Sequence, residues 1–271
     1  MNLQDHYVAL MIGNSRLHWA WFVGDTLQEA WDTQHFPAAE VESIIQHWTS
    51  GLLPTTIFGK PFLSWYSSNP YLPLYIASVI PEQTPLWQTY PVAHVITLED
   101  VPLLGVYPTL GIDRALAVLG AGETYNYPVL VIDAGTALTF TGVDDHRHLV
   151  GGAILPGLKL QLESLAHNTA ALPSISLKRQ LPNRWAIDTL TAIESGVIYT
   201  LLAGIREFIA DWLHRFPNSP IALTGGDADL LLDYLHSRSP KFYPDLVADR
   251  HLIFFGINFV AITKNLAGED V

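Results

Sequence analysis

The chain of 271 residues contains no cysteine, which excludes disulfides, thiolate metal sites and cysteine nucleophiles. Positive charge is scarce: 14 Lys and Arg stand against 26 Asp and Glu, a formal net charge of −12, and no basic run occurs. Nucleic acids and anionic membranes need a dense positive field, so neither is an expected partner. No apolar run approaches the ~20 residues that cross a bilayer. The first residues place Asp5 and His6 ahead of a short apolar stretch and lack the basic region of a signal peptide, so a cytoplasmic location is expected. The common phosphate and hydrolase signatures are missing as well: there is no G-x-x-x-x-G-K-[ST], no strand-linked G-x-G-x-x-G, no G-x-S-x-G and no H-E-x-x-H. The eleven histidines show no ligand spacing.

What is present is a repeated turn. Residues 129–141 run as an apolar strand into Asp133-Ala134-Gly135-Thr136 and then resume as an alternating strand. Such a turn offers backbone N–H groups and one carboxylate to a phosphate and its metal ion. A weaker copy lies near the start, where Met11-Ile12-Gly13-Asn14 aligns with Asp133-Ala134-Gly135-Thr136 and a methionine stands in place of the acid. Gly151-Gly152 and Gly225-Gly226 also lie within or after apolar runs, as backbone approach to a ligand requires.

The pattern along the chain predicts strands within 7–32, a helix over 38–50, strands near 56–58 and 74–80, and a helix over 113–125. The same order then follows again: strands over 129–141 and 150–154, helices over 157–168 and 189–214, a strand at 221–224, a helix over 227–237, a strand at 251–255 and a terminal helix from 257. Strands and helices repeating in this order predict an α/β fold of two similar lobes, each a mixed sheet flanked by helices, with the two glycine turns facing a nucleotide cleft between them. The division is expected between residues 1–110 and 111–271. Asp144-Asp145 reads as a hairpin turn, His167 and Lys159 as solvated helix positions, and Trp19, Trp21, Trp65 and Phe62 as core or subunit contacts.

Gly111-Ile112-Asp113-Arg114 joins opposite charges at a helix start. By spacing alone, Asp113 is a cap and Arg114 a surface residue. The functional alternative makes Arg114 a fork for a substrate carboxylate and Asp113 the acceptor of a hydroxyl proton.

These segments, with Ser78-Val79-Ile80-Pro81, Gly151 to Gly157, Thr169 to Pro173, Thr189 to Gly196 and Thr224-Gly225-Gly226, resemble in order the type III pantothenate kinase family. The resemblance spans residues 8–257 and implies the duplicated actin, hexokinase and Hsp70 fold, related to ribonuclease H. It implies ATP-dependent phosphorylation of pantothenate, the first step of coenzyme A biosynthesis, with Mg²⁺ and K⁺ or NH₄⁺. Met11, Ile12, Gly13, Asn14, Ser15, Arg16, Leu17 and His18 would form the first ATP loop, and Thr136 would contact ATP from the second. Asp133 would bind the monovalent cation. Tyr107, Gly111, Ile112, Asp113 and Arg114 would hold pantothenate with Asp113 as base, and Thr189 would complete the pocket from the neighbouring subunit of a homodimer.

Two departures from the family pattern stand out. Tyr107 is closer to Gly111 than is usual, and Met11 replaces the aspartate that opens the first loop. Mg²⁺ takes oxygen ligands, which a thioether cannot supply, so the metal would rely on ATP phosphates, water and other carboxylates. A non-catalytic relative similar to the Bvg accessory factor, acting by binding, is the alternative that Met11 raises.

Overall fold

Each of the two strand–glycine–strand repeats seeds its own five-stranded sheet. The computed structural model describes residues 6–52, 57, 72–169, 172–173, 175–238 and 246–268. In the first sheet β1 (His6–Ile12), β2 (Leu17–Val23) and β3 (Thr26–Thr33) run antiparallel in turn, α1 (Ala38–Thr49) follows, and β4 (Leu74–Ser78), α2 (Thr84–Gln88) and β5 (Ala93–Val95) complete it. β4 lies parallel to β1 and β5 parallel to β4, giving the order β3-β2-β1-β4-β5. After α3 (Ile112–Tyr125) the pattern restarts with β6 (Val129–Ala134), β7 (Ala137–Val143) and β8 (Leu149–Pro156). Then come α4 (Leu158–Asn168), α5 (Thr189–Arg215), β9 (Ile221–Thr224), α6 (Ala228–Arg238), β10 (Leu246–Ala248) and α7 (Leu252–Gly268). The second sheet has the order β8-β7-β6-β9-β10, with the same parallel and antiparallel pairings as the first.

Period-two alternation divides each sheet into an apolar face and a mixed one. In the first sheet Val8, Leu10, Ile12, Leu17 and Trp19 pack against Val41, Ile44, Ile45 and Trp48 of α1 and Trp87 of α2. Trp19, Trp48 and Trp87 are fully buried, and aromatic side chains of this size dominate a core by the area they remove from water. In the second sheet Leu130, Ile132 and Ala134 pack with Leu158 and Leu162 of α4, Ile198, Leu202 and Ile205 of α5, and Leu231 and Leu235 of α6.

The chain divides into two compact units, Met1–Pro102 with Tyr107–Gly120 and Ile253–Val271, and Leu103–Val106 with Ala121–Leu252. The sequence division at residue 110 therefore differs at three places: Leu103–Val106 groups with the second sheet, and the start of α3 and nearly all of α7 group with the first. Gly256 explains part of this: a Cβ there would run into the backbone of Leu116, so α7 lies directly on α3.

The strand expected at 251–255 is instead the first turn of α7, and the edge strand is β10, a few residues earlier. A short apolar run such as Leu252-Ile253-Phe254-Phe255 has no period that tells strand from buried helix. The Asp249 carboxylate accepts the His251 N–H at 2.8 Å and holds the turn that starts this helix. Of the strand expected near 56–58, and of Phe62 and Trp65, all but Ile57 lie outside the described residues. Asp144 does form a hairpin turn, accepting the N–H groups of His146 and His148 at 2.9 Å each.

Candidate functional site

The two glycine turns occupy equivalent places. Met11 lies one residue before the end of β1 and Asp133 one before the end of β6; each is on the face opposite the helices that cover Leu10 and Ile132. Met11 pairs with His18 across the antiparallel hairpin, and Asp133 with Thr139.

In the first turn the Gly13 N–H donates to the Arg16 carbonyl at 3.0 Å, which leaves Asn14, Ser15 and Arg16 exposed at the tip. Met11, Ile12 and Leu17 are buried, so of the predicted loop residues Gly13 to Arg16 and His18 reach the surface. His18 Nδ1 lies 2.7 Å from Asp32 Oδ1 on β3, and Arg16 Nη1 lies 3.6 Å from the other oxygen of that carboxylate. His35 Nε2 sits 3.0 Å from the Gly13 carbonyl oxygen and donates to it.

In the second turn Gly135 N–H donates to the Ala137 carbonyl at 3.1 Å, and Gly157, at the start of α4, donates its N–H to the Thr136 carbonyl at 2.9 Å. Thr136 is exposed and Asp133 half-buried. Gly225, at the end of β9, has φ +88°, which favours glycine, and a Cβ there would strike both the Asp133 carboxylate and the Ala134 backbone. The Asp227 N–H donates to the Ala134 carbonyl at 3.0 Å, and its carboxylate receives Lys159 Nζ at 2.7 Å. Lys159 thus keeps its mostly solvated helix position while pairing with an acid beside the turn.

The third cluster forms at the start of α3. Arg114 is buried, with its Nη1 donating to the Tyr107 hydroxyl at 3.0 Å. Asp113 Oδ1 accepts the Arg114 N–H at 2.8 Å, and a Cβ on Gly111 would collide with that carboxylate oxygen, so a larger residue there would displace the carboxylate. Burial raises the Asp113 carboxyl above its ordinary value, and the N–H and guanidinium of Arg114 only partly counter it. A half-buried carboxylate beside an aromatic hydroxyl and a buried guanidinium can accept a proton next to an anion-binding group. The structure therefore joins Tyr107, Gly111, Asp113 and Arg114, with Ile112 buried beneath them. Thr189 lies in the other compact unit, exposed as the first residue of α5, just after the cap in which Asp188 accepts the Thr191 N–H at 3.0 Å.

The donor sets suit different ligands. Asp133 offers hard oxygen to a cation, whereas the buried Met11 offers a soft thioether that Mg²⁺ and K⁺ disfavour. Among the described residues no group of three or more His, Asp or Glu is arranged to hold a metal without help from a ligand. Sequence reasoning missed Asp32, His35 and Asp227; each reaches its turn across a strand pairing or from a separate loop, and carries no local signature.

The sequence profile of the type III pantothenate kinase family matches residues 7–211. A type III pantothenate kinase from Nostoc sp. strain PCC 7120 is 47% identical over 267 residues, covering 96% of this chain and 95% of that protein. One from Synechocystis sp. strain PCC 6803 is 43% identical over 256 residues, covering 94% and 90%. Among solved structures, one described as a Baf family transcriptional activator from Campylobacter jejuni superposes with a TM-score of 0.62 at 19% identity, covering 96% of this chain and 99% of that one. A 2-dehydro-3-deoxygalactonokinase protein from Sinorhizobium meliloti gives 0.54 at 15% identity, covering 95% and 99%. At these identities the structural likenesses speak to the fold alone, a duplicated actin- and hexokinase-like architecture.

Proposed function

This chain belongs to the type III pantothenate kinase family, and we propose that it transfers the γ-phosphoryl group of ATP to the primary hydroxyl of pantothenate, the first step of coenzyme A biosynthesis. The observation that carries this reading is the cluster of Asp113 and Arg114 on the first turn of α3 with Tyr107 from the segment before it. Arg114 would bind the pantothenate carboxylate, held in place by the Tyr107 hydroxyl. Asp113 would accept the proton of the attacking hydroxyl as its oxygen bonds to the γ-phosphorus and the bond to the β-phosphate oxygen breaks, releasing ADP. In-line transfer is loose in character, so orientation and charge neutralisation supply most of the rate.

Of the expected loop residues, Gly13, Asn14, Ser15, Arg16 and His18 would meet the ATP phosphates from the first turn and Thr136 from the second, through backbone N–H groups and exposed side chains. Asp133, next to the backbone of Gly225, would hold a monovalent cation, and bound cations would neutralise charge on the phosphates. Thr189 would act from the partner subunit of a homodimer; Trp185, Ile187 and Leu190 leave apolar surface exposed beside it, which supports an interface there. A cytoplasmic location accords with the absence of cysteine and with the lack, among the described residues, of any helix long and apolar enough to cross a membrane. The binding-only alternative is not favoured, since relatives at 39–47% identity over more than nine-tenths of this chain are named as kinases.

The test is direct. The purified full chain, given ATP, Mg²⁺ and K⁺, is expected to release ADP and form phosphopantothenate only when pantothenate is added. No phosphopantothenate under those conditions overturns the proposal.

A further inference from the structure

The first turn lacks an acid where the second has Asp133, yet a carboxylate stands two strands away in the same row. Met11 pairs with His18, and His18 pairs with Asp32, so β1, β2 and β3 present the three side chains on one face of the sheet. Asp32 is already engaged by His18 and faces Arg16, which makes it a poor site for a metal and a good anchor for cations. With Nδ1 donating to Asp32, the Nε2 edge of the ring turns toward the phosphate turn. A Cβ on Gly13 would lie 3.3 Å from His18 Nε2, so the ring sits against the glycine itself. His35 donates to the carbonyl of the same glycine at 3.0 Å, so a second imidazole, from beyond β3, also reaches the turn. His18 is 41% exposed and Asp32 45%, and an exposed pair of this kind contributes little to stability, so folding alone does not account for the arrangement.

We propose that His18 binds the nucleotide phosphate in the first turn and that Asp32 is the positioning residue that aims it. The inference rests on the reading of residues 11–18 as an ATP loop and adds the residue that replaces a loop carboxylate. In this arrangement the ring would donate from both nitrogens, through Nδ1–H to Asp32 and through Nε2–H to a phosphate oxygen. Arg16, on the other oxygen of Asp32, supplies a second cation at the tip. Met11, buried and uncharged, leaves Asp32 as the carboxylate paired with the ring. The first turn thus meets phosphate with side-chain cations, where the second turn would organise a cation around a carboxylate.

The experiment uses the full chain and measures the affinity for Mg²⁺ and the non-hydrolysable analogue AMPPNP by calorimetry, alongside KM for ATP and for pantothenate. His18→Gln is expected to weaken AMPPNP binding about tenfold or more, the effect of losing a charge-assisted hydrogen bond. KM for ATP should rise in parallel, while KM for pantothenate stays within about twofold because the substrate cluster on α3 is untouched. His18→Lys, which restores a cation, should recover most of the affinity. Asp32→Asn should show the same selective loss in milder form, and in the double variant its effect should vanish, since Asp32 acts through His18. Wild-type affinity in His18→Gln, or an Asp32→Asn loss that adds in full to that of His18→Gln, overturns the proposal. If the wild-type chain binds AMPPNP but makes no phosphopantothenate, the kinase reading falls and the binding series still decides this one. If the wild type does not bind AMPPNP, both fall.

Discussion

The turn after β1 and the turn after β6 stand at equivalent places in two sheets of the same strand order, and their acids are placed differently. The second carries its acid in the strand itself, at Asp133. The first carries Met11 at that position, Arg16 and His18 around it, and its acid two strands away at Asp32. Both expose backbone at a glycine. On the proposed reading, the duplicated topology fixes where a turn offers N–H groups, and the neighbouring strands set which ion would accompany a phosphate there. In a chain of net charge −12 that division has weight, because the cations of the first turn are drawn from a small basic complement.

The comparison assigns the proton transfer to neither turn, and the largest expected effect tests this. Asp113→Asn should lower kcat by about 10²–10⁴-fold, the usual contribution of a positioned base, with nucleotide affinity unchanged. A loss confined to KM would return the chemistry to the turns. The pH dependence follows from the raised Asp113 carboxyl: the base must be ionised, so the acid limb of kcat should lie above the ordinary aspartate value of 3.8 and disappear in the variant. The sign for stability is the reverse. A carboxyl raised in the folded state stabilises the fold fully below its unfolded value, and that contribution is lost as pH rises through the folded value. Ionised Asp113 is then a strain at neutral pH, and Asp113→Asn should melt at a higher temperature than the wild type.

Next in size is Asp133→Asn, which breaks the comparison on its acidic side. Losing a charged oxygen ligand should cost roughly 10–100-fold in activity and flatten the response to K⁺ or NH₄⁺, by analogy with the cost of disturbing a metal's ligand shell. A titration of activity against K⁺ checks it. An unchanged K⁺ response would leave the second turn without its assigned role.

The two turns were not equally legible in the sequence. Asp133-Ala134-Gly135-Thr136 is local, since strand, acid and glycine are contiguous, and the repeat could be read directly. So could the order of elements, because both sheets are built from contiguous apolar runs with glycine ends. The first turn was read as a loop that had lost its acid, because Asp32 is 14 residues from His18 and His35 is 22 from Gly13, and only the pairing of β2 with β3 brings them to the turn. The start of α7 was misread for the same kind of reason: four apolar residues carry no period, and the Asp249 contact that begins the helix is a matter of side-chain geometry. Tyr107 stands closer to Gly111 than the family pattern has it, and its hydrogen bond to Arg114 gives it a structural partner.

That hydrogen bond offers a smaller effect, separate from both turns. Tyr107→Phe removes the hydroxyl that accepts from Arg114, at a cost of about 0.5–1.5 kcal/mol for one hydrogen bond. KM for pantothenate should rise about two- to tenfold, with KM for ATP unchanged. A matched rise in both constants would show that the tyrosine supports the fold around α3 rather than the substrate.

The smallest effect on turnover is expected where the comparison is sharpest, at Met11→Asp, which gives the first turn the acid of the second. If the turn were simply incomplete, the variant would gain activity and need less Mg²⁺. The structure argues otherwise, since an aspartate at position 11 would stand beside His18 in the Met11, His18 and Asp32 row and would meet a cation already served by Asp32. The His18 end of such a pair is 41% exposed, which keeps the gain at about 0–1 kcal/mol, as for a surface pair, so turnover at saturating Mg²⁺ should change by less than about fivefold. The fold should register the change more clearly, because Met11 is 3% exposed and a carboxylate placed there loses solvation that one imidazole replaces only in part. Denaturant unfolding beside a Mg²⁺ titration separates the two possibilities. Lower stability with an unchanged Mg²⁺ requirement marks a turn rebuilt for cations, and a tighter Mg²⁺ response marks one that lacked only its acid.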